Sequence, residues 1–119
     1  MKDFRTLKVW EKAHALTLAI YKATDYFPSQ ELYFLTNQIQ CAAVSIPANI
    51  AEGYSKDSDA ELKRYFSIAI GSSTELEYLL LLAHDLGYLQ GDTYHPMQHD
   101  LVETRRMLHA FIQKLAAIS

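Results

Sequence analysis

Ala42-Ala43-Val44-Ser45-Ile46-Pro47-Ala48-Asn49-Ile50-Ala51-Glu52-Gly53-Tyr54 places small and apolar residues at helical spacing around a proline, which helix interiors normally exclude. Pro47 has no N–H to offer the carbonyl of Ala43, and its ring crowds the preceding turn, at a cost of roughly 3 kcal/mol if nothing compensates. A kink is expected there, with the freed Ala43 carbonyl met by a side chain or water. Small side chains let neighbouring helices come close. The stretch reads as the tightly packed spine of an all-helical domain.

Working outward, this second helix takes Leu32, Leu35, Ile39, Ala42 or Ala43, Ile46 and Ile50 as its core stripe. Ser29, just after the Phe27-Pro28 break, is placed to cap it. Between Leu32 and Ile50 there is no charged side chain, so contact on more than one side is expected. Gly53 and Ser55-Lys56-Asp57 end the helix. Upstream, a first helix opens after Thr6 and runs to about Tyr26, with Trp10, Ala13, Thr17, Ile20, Thr24 and Phe27 on one face. Arg5, Lys8, Lys12 and Lys22 gather on another side.

Downstream, Ser58-Asp59-Ala60-Glu61 is a capping box that starts a third helix, which ends at about Leu86 with Gly87 as a left-handed cap. Leu62, Phe66, Ala69, Ser73, Leu76, Leu80 and Ala83 form its first seam. A second stripe, Tyr65, Ile68, Ser72, Glu75, Leu79, Leu82 and Leu86, is nearly as apolar. A bundle core needs one stripe only, so Tyr65, Ile68, Leu79 and Leu82 are assigned to an interface between copies of the chain. Asp92 or Thr93 caps a fourth helix, with Pro96 in its first turn and Leu101, Leu108, Phe111 or Ile112, Leu115 and Ile118 on its stripe. Residues 1–119 thus form a single domain, an antiparallel up-down-up-down four-helix bundle.

Composition agrees. The chain has 119 residues, half of them apolar, which suits one ordered domain. A formal net charge of −3 gives no general attraction to nucleic acid, so an anionic partner would have to meet a local basic patch. Arg5, Lys8, Lys12, Lys56, Lys63 and Arg64 are the candidates for such a patch. One cysteine, Cys41, forms no internal disulfide, and the Leu79 to Ala83 apolar run is far short of the roughly 20 residues that span a bilayer. A cytoplasmic protein without membrane contact is expected.

No catalytic constellation emerges. A di-metal carboxylate bundle needs two Glu-x-x-His pairs, and only Glu11-Lys12-Ala13-His14 has that spacing. His95 and His99 are read as a solvated helix face, and Arg105 and Arg106 stand too near His109 for the Arg-to-His spacing of helical ribonucleases. No cofactor or metal is expected. Gly71 lies mid-helix, where it costs about 1 kcal/mol relative to Ala, and is assigned to a close crossing with Ala43, Ala48 and Ala51. Around that crossing, Ser45, Pro47, Asn49, Glu52, Gly53, Gly71, Ser72 and Glu75 are grouped as a polar network that sets helix register rather than as a ligand site.

The run Ala42 through Gly53 (AAVSIPANIAEG), with Phe4-Arg5, Val9-Trp10, Ile20-Tyr21, Phe27-Pro28, Gly71-Ser72, Glu75-Leu76-Glu77 and Leu86-Gly87-Tyr88-Leu89, resembles the four-helix-bundle proteins encoded in intervening sequences of 23S ribosomal RNA genes. The accessory variability determinant proteins of diversity-generating retroelements are similar to these. The resemblance implies a ring-like homopentamer and, in the retroelement branch, an accessory that binds RNA or DNA and a reverse transcriptase. Gln40-Cys41 stands where the family usually has two arginines, and Phe34 where it usually has glycine. Losing two cations lowers the phosphate affinity the resemblance implies. The leading expectation is a non-enzymatic, oligomeric, nucleic-acid-associated accessory; the alternative is a protein–protein interaction module that never touches nucleic acid.

Overall fold

The computed structural model describes residues 2–118, with side chains through residue 117. Among these residues there are four α-helices and no strand: α1 (Lys8–Thr24), α2 (Leu35–Tyr54), α3 (Asp59–Asp85) and α4 (Gly91–Ile118). Each helix packs against its neighbours in sequence, and α4 closes the ring against α1, giving a rod of 47 × 22 × 20 Å. Buried side chains from all four helices meet along the axis, with Phe66, Ile20, Ile39, Ile46, Ile50, Leu76, Leu80, Leu101 and Leu108 fully enclosed. This is the expected bundle.

The spine is compensated where it was expected to be weak. α2 continues through Pro47, and the Thr17 hydroxyl on α1 reaches the Ala43 carbonyl at 3.2 Å. The same hydroxyl lies 2.9 Å from the Ala13 carbonyl, so its single proton is shared between the two helices. Pro47 itself is buried, and its missing N–H thereby becomes an interhelical tie.

Helix ends follow local chemistry. Ser58 Oγ accepts the Glu61 N–H at 3.1 Å, as the capping box requires. At the other end of α3, Gly87 adopts φ +84°, while Gly87 N–H and Tyr88 N–H donate to His84 and Ala83 carbonyls at 3.0 and 2.9 Å. That pairing is the Schellman motif. Two starts differ from expectation. Residues Ser29–Glu31 form a separate 3-10 turn and α2 opens at Leu35 without a side-chain cap, which leaves Leu32 51% exposed rather than on the core stripe. α4 begins at Gly91, its first turn anchored by the Gln90 carbonyl, which puts Pro96 in the second turn. Ile118 lies outside the described side chains.

The close helix approach sits elsewhere than expected. Gly71 is exposed and faces open space, so it is no crossing point. Gly53 is the crowded one: a Cβ there would stand 2.8 Å from Tyr65 Cβ and 3.2 Å from the Leu62 carbonyl oxygen. Periodicity tells which face of a helix turns inward, but not which residue on the opposing helix meets it. α3 is also long and apolar enough, by length and composition, to cross a membrane, which run-counting at Leu79 to Ala83 missed. In the bundle 39% of that apolar window is buried, with Leu62, Phe66, Ala69, Leu76, Leu79, Leu80 and Ala83 of α3 in the core, while Ile68 and Leu81 stay exposed.

Two sets of variants test this packing by urea denaturation. Thr17→Val leaves the Ala43 carbonyl unpartnered and is expected to cost about 1–3 kcal/mol, with Thr17→Ser retaining most of the stability. Gly53→Ala is expected to cost about 1–3 kcal/mol through overpacking, whereas Gly71→Ala costs nothing. The reverse order for the two glycines would mean that the helix register described here is wrong.

Candidate nucleic-acid interface

The crowded Gly53 contact brings the end of α2 against the first turns of α3 and so fixes Tyr65. Over the Tyr65 ring stand two cations, the Arg64 guanidinium 4.5 Å and the Lys56 ammonium 5.3 Å from its centroid. Beside them Lys2 Nζ lies 5.4 Å from the Tyr54 centroid and donates to the Lys56 carbonyl at 3.2 Å, which ties the N-terminus to the α2–α3 turn. The N-terminal 3-10 turn, Phe4–Thr6, packs on both α1 and α2 and adds a further series of rings. Arg5 covers Phe4 at 4.6 Å, Phe4 meets Trp10 edge-on at 4.9 Å, and Trp10 stacks on His14 at 4.8 Å. One end of the rod therefore alternates cations with aromatic faces, the chemistry that single-stranded nucleic acid uses for phosphate and base contacts.

The six cations named from the sequence do not form one patch. Arg5, Lys56 and Arg64 join this end, and Lys2 belongs with them. Lys8 and Lys12 instead line grooves between α1 and α4, and Lys63 lines one between α3 and α4. Most carry a carboxylate partner: Arg5 with Asp3 at 3.1 Å, Lys12 with Asp100 at 3.4 Å, Lys56 with Glu52 at 3.7 Å, and Arg64 with Glu61 at 2.8 Å. Arg64 holds the Glu61 carboxyl below its ordinary pKa, first through their hydrogen bond and then through its charge; Glu61 in turn raises Arg64. Such exposed pairs contribute little to stability, and an incoming phosphate can compete for the cation.

The polar network is smaller than expected. Ser45 and Ser72 hydroxyls meet at 2.7 Å across α2 and α3, and Asn49 Nδ2 donates to the Ser45 carbonyl and hydroxyl at 2.7 and 3.0 Å. Gly71 and Glu75 stay outside it on the exposed face of α3, while Glu52 turns to Lys56 and Pro47 is core. Of the residues assigned to an interface between copies, Leu79 is only 5% exposed and belongs to the core, because α3 turns it inward beside Leu80. Tyr65 and Leu82 are half-buried, and Ile68 is exposed. Flanking the Ser45–Ser72 bond, Cys41, Val44, Ala48, Ile68 and Gly71 present an exposed surface with no charge among them.

Sequence reasoning missed Lys2 and Tyr54, which no periodicity links because the N-terminal segment meets the α2–α3 turn only in three dimensions. It also missed a polar ladder joining α3 to α4. There Arg105 pairs with Glu77 at 2.6 Å and lies 3.4 Å from Ser73 Oγ, while Gln98 Nε2 donates to the Glu77 carbonyl at 3.1 Å. His95 packs edge-on against His84 and Tyr94, and among the described residues no three His, Cys, Asp or Glu side chains group so as to hold a metal ion.

Fold and site together define an all-α four-helix bundle with a cation- and ring-bearing end. The chain belongs to the 23S rRNA-intervening sequence protein family, whose sequence profile matches residues 5–110. It is similar to a solved structure described as a protein with unknown function from the S23 ribosomal protein family of Bacteroides thetaiotaomicron. That similarity has a TM-score of 0.81 and 26% identity, and covers 87% of this chain and 97% of the other. No curated protein matches.

The Glu61–Arg64 pair gives a pH test. Because the folded pKa of Glu61 is depressed, whatever the pair contributes is present above the unfolded pKa and lost as pH falls through the lower folded value. Carboxyl NMR should place the Glu61 midpoint below that of an ordinary glutamate, and Arg64→Gln should return it upward. A midpoint unmoved by Arg64→Gln would show that the pair does not persist in solution.

Proposed function

We propose that this protein is a non-enzymatic accessory that assembles with copies of itself in the cytoplasm and holds single-stranded RNA or DNA against the Lys2, Tyr54, Lys56, Arg64, Tyr65 end of each subunit. The observation that supports it is the alternation of cations with aromatic faces there, in a chain whose net charge is −3. Lys56 and Arg64 each stand beside a carboxylate, Glu52 and Glu61, so binding here requires a phosphate to displace exposed ion pairs that are individually weak, with the tyrosine faces supplying the stacking. Assembly into a ring such as a homopentamer would multiply weak single-subunit contacts. The exposed apolar and small residues flanking Ser45 and Ser72, among them Val44, Ala48, Ile68 and Gly71, support self-association, and a nucleic-acid enzyme such as a reverse transcriptase is the kind of further partner that an accessory of this type would serve.

Anisotropy of a labelled 20-nucleotide single-stranded RNA tests the reading. Affinity is expected to fall at least tenfold between 50 and 200 mM salt, as about three released counterions per strand require. Lys56→Glu combined with Arg64→Glu should weaken binding by tenfold or more, while Lys22→Glu, at the other end of α1, should leave it within twofold. No binding at low salt, or binding indifferent to both salt and the double variant, would contradict the proposal and favour a module that docks only proteins.

A further inference from the structure

A second surface, on the seam between α1 and α4, has a different chemistry. α1 and α4 make the least extensive of the helix–helix contacts, and the seam opens outward. A groove of about 350 Å³ lies between the first turn of α1 and the last turns of α4, its floor formed by Leu7, Val9, Met107 and Phe111. Phe111 gives one face to the core, with its ring 5.1 Å from Phe66, and leaves the rest to the groove. Lys8 and Met107 also line the neighbouring groove, where Ala15 and Glu11 continue the walls, so the two are one trough. From Leu7 to Ala15 on α1 and from Glu103 to Lys114 on α4, the trough runs roughly 12–17 Å, at 1.5 Å per residue.

Charge is placed unevenly along it. Lys8 and Lys114 stand at the mouth near the end of the bundle, and among the described residues neither has a carboxylate within ion-pairing distance. Six of the other nine cations do have one. Farther along, Glu11 stands on the rim with Glu103, which Arg106 engages at 3.0 Å, and Lys12, which Asp100 engages at 3.4 Å. The trough is thus cationic at one end, mostly neutralised by ion pairs further in with Glu11 left over, and apolar along its floor.

We infer that this trough docks an amphipathic helix of a partner protein, acidic at the end that lies between Lys8 and Lys114. Its length accommodates apolar anchors at i, i+4 and i+7, which span about 10.5 Å. Methionine suits such a floor, because its unbranched side chain adapts to whatever ridge enters, and Ala15 lets a helix backbone come near. Nucleic acid fits poorly, since an apolar floor offers phosphates nothing. This surface is independent of the cation–tyrosine end, and Lys8 and Lys114 play no part in the RNA proposal.

The probe is a labelled 16-residue helical peptide with leucines at i, i+4 and i+7, glutamates in its first turn and lysines in its last. A second peptide carries the two charge blocks exchanged. The first is expected to bind the full-length protein with micromolar affinity by anisotropy, at least tenfold tighter than the second. Lys8→Glu with Lys114→Glu, both surface changes, should invert that preference, and Met107→Lys should weaken both peptides by tenfold or more, with circular dichroism confirming the fold. Binding of neither peptide at 100 µM, or equal binding of both that the variants do not alter, would overturn the inference. So would displacement of neither peptide's signal but saturable uptake of a fluorescent fatty acid, which would assign the groove to an acyl ligand.

Discussion

The absence of one methyl-sized group at Gly53 sets the geometry on which the rest of this molecule depends. With a Cβ only 2.8 Å from that of Tyr65, α2 and α3 could not close at this point, and the two helices share the most extensive contact in the bundle. From that closure follow the position of Tyr65, the cations laid over its ring, and the alignment of Ser45 with Ser72 farther along the seam. Glycine ordinarily weakens a helix. Here its cost is returned through close packing by both neighbours.

The other seams are held by different means. Between α1 and α2 a proline that removes a donor is answered by Thr17, whose hydroxyl reaches the orphaned carbonyl. Between α3 and α4 a half-buried ladder of Arg105, Glu77 and Gln98 does the tying. The seam between α4 and α1 has mainly the Lys12–Asp100 pair and stays partly open as a trough. A bundle whose least extensive seam is the one between α4 and α1 can keep its shape while offering a long surface there to another molecule.

Much of the fold was legible in the sequence because helices announce themselves locally. The Ser58 capping box, Gly87 and the apolar stripes place α3 to within a residue or two, and the Pro47 reading anticipated a side-chain partner for Ala43. What was not legible is register between helices. Gly71 looked like the contact because it interrupts a helix, yet Gly53, which looked like a terminator, is the contact. Leu79 was assigned outward for a related reason, since two apolar stripes on one helix look alike until the neighbours are in place. The candidate site was legible only in part: Arg5, Lys56 and Arg64 were named, but the rings that organise them and Lys2 come from segments far apart in the chain.

The α2–α3 seam also leaves Val44, Ile68 and Gly71 uncovered, with Glu75 the charge beside them on α3, and further copies of the chain are proposed to cover this face. Sedimentation velocity at micromolar concentration tests this most directly. A particle several times the 13.6 kDa of one chain is expected, reduced toward a single chain by Ile68→Glu. A wild-type protein that sediments only as one chain would contradict it.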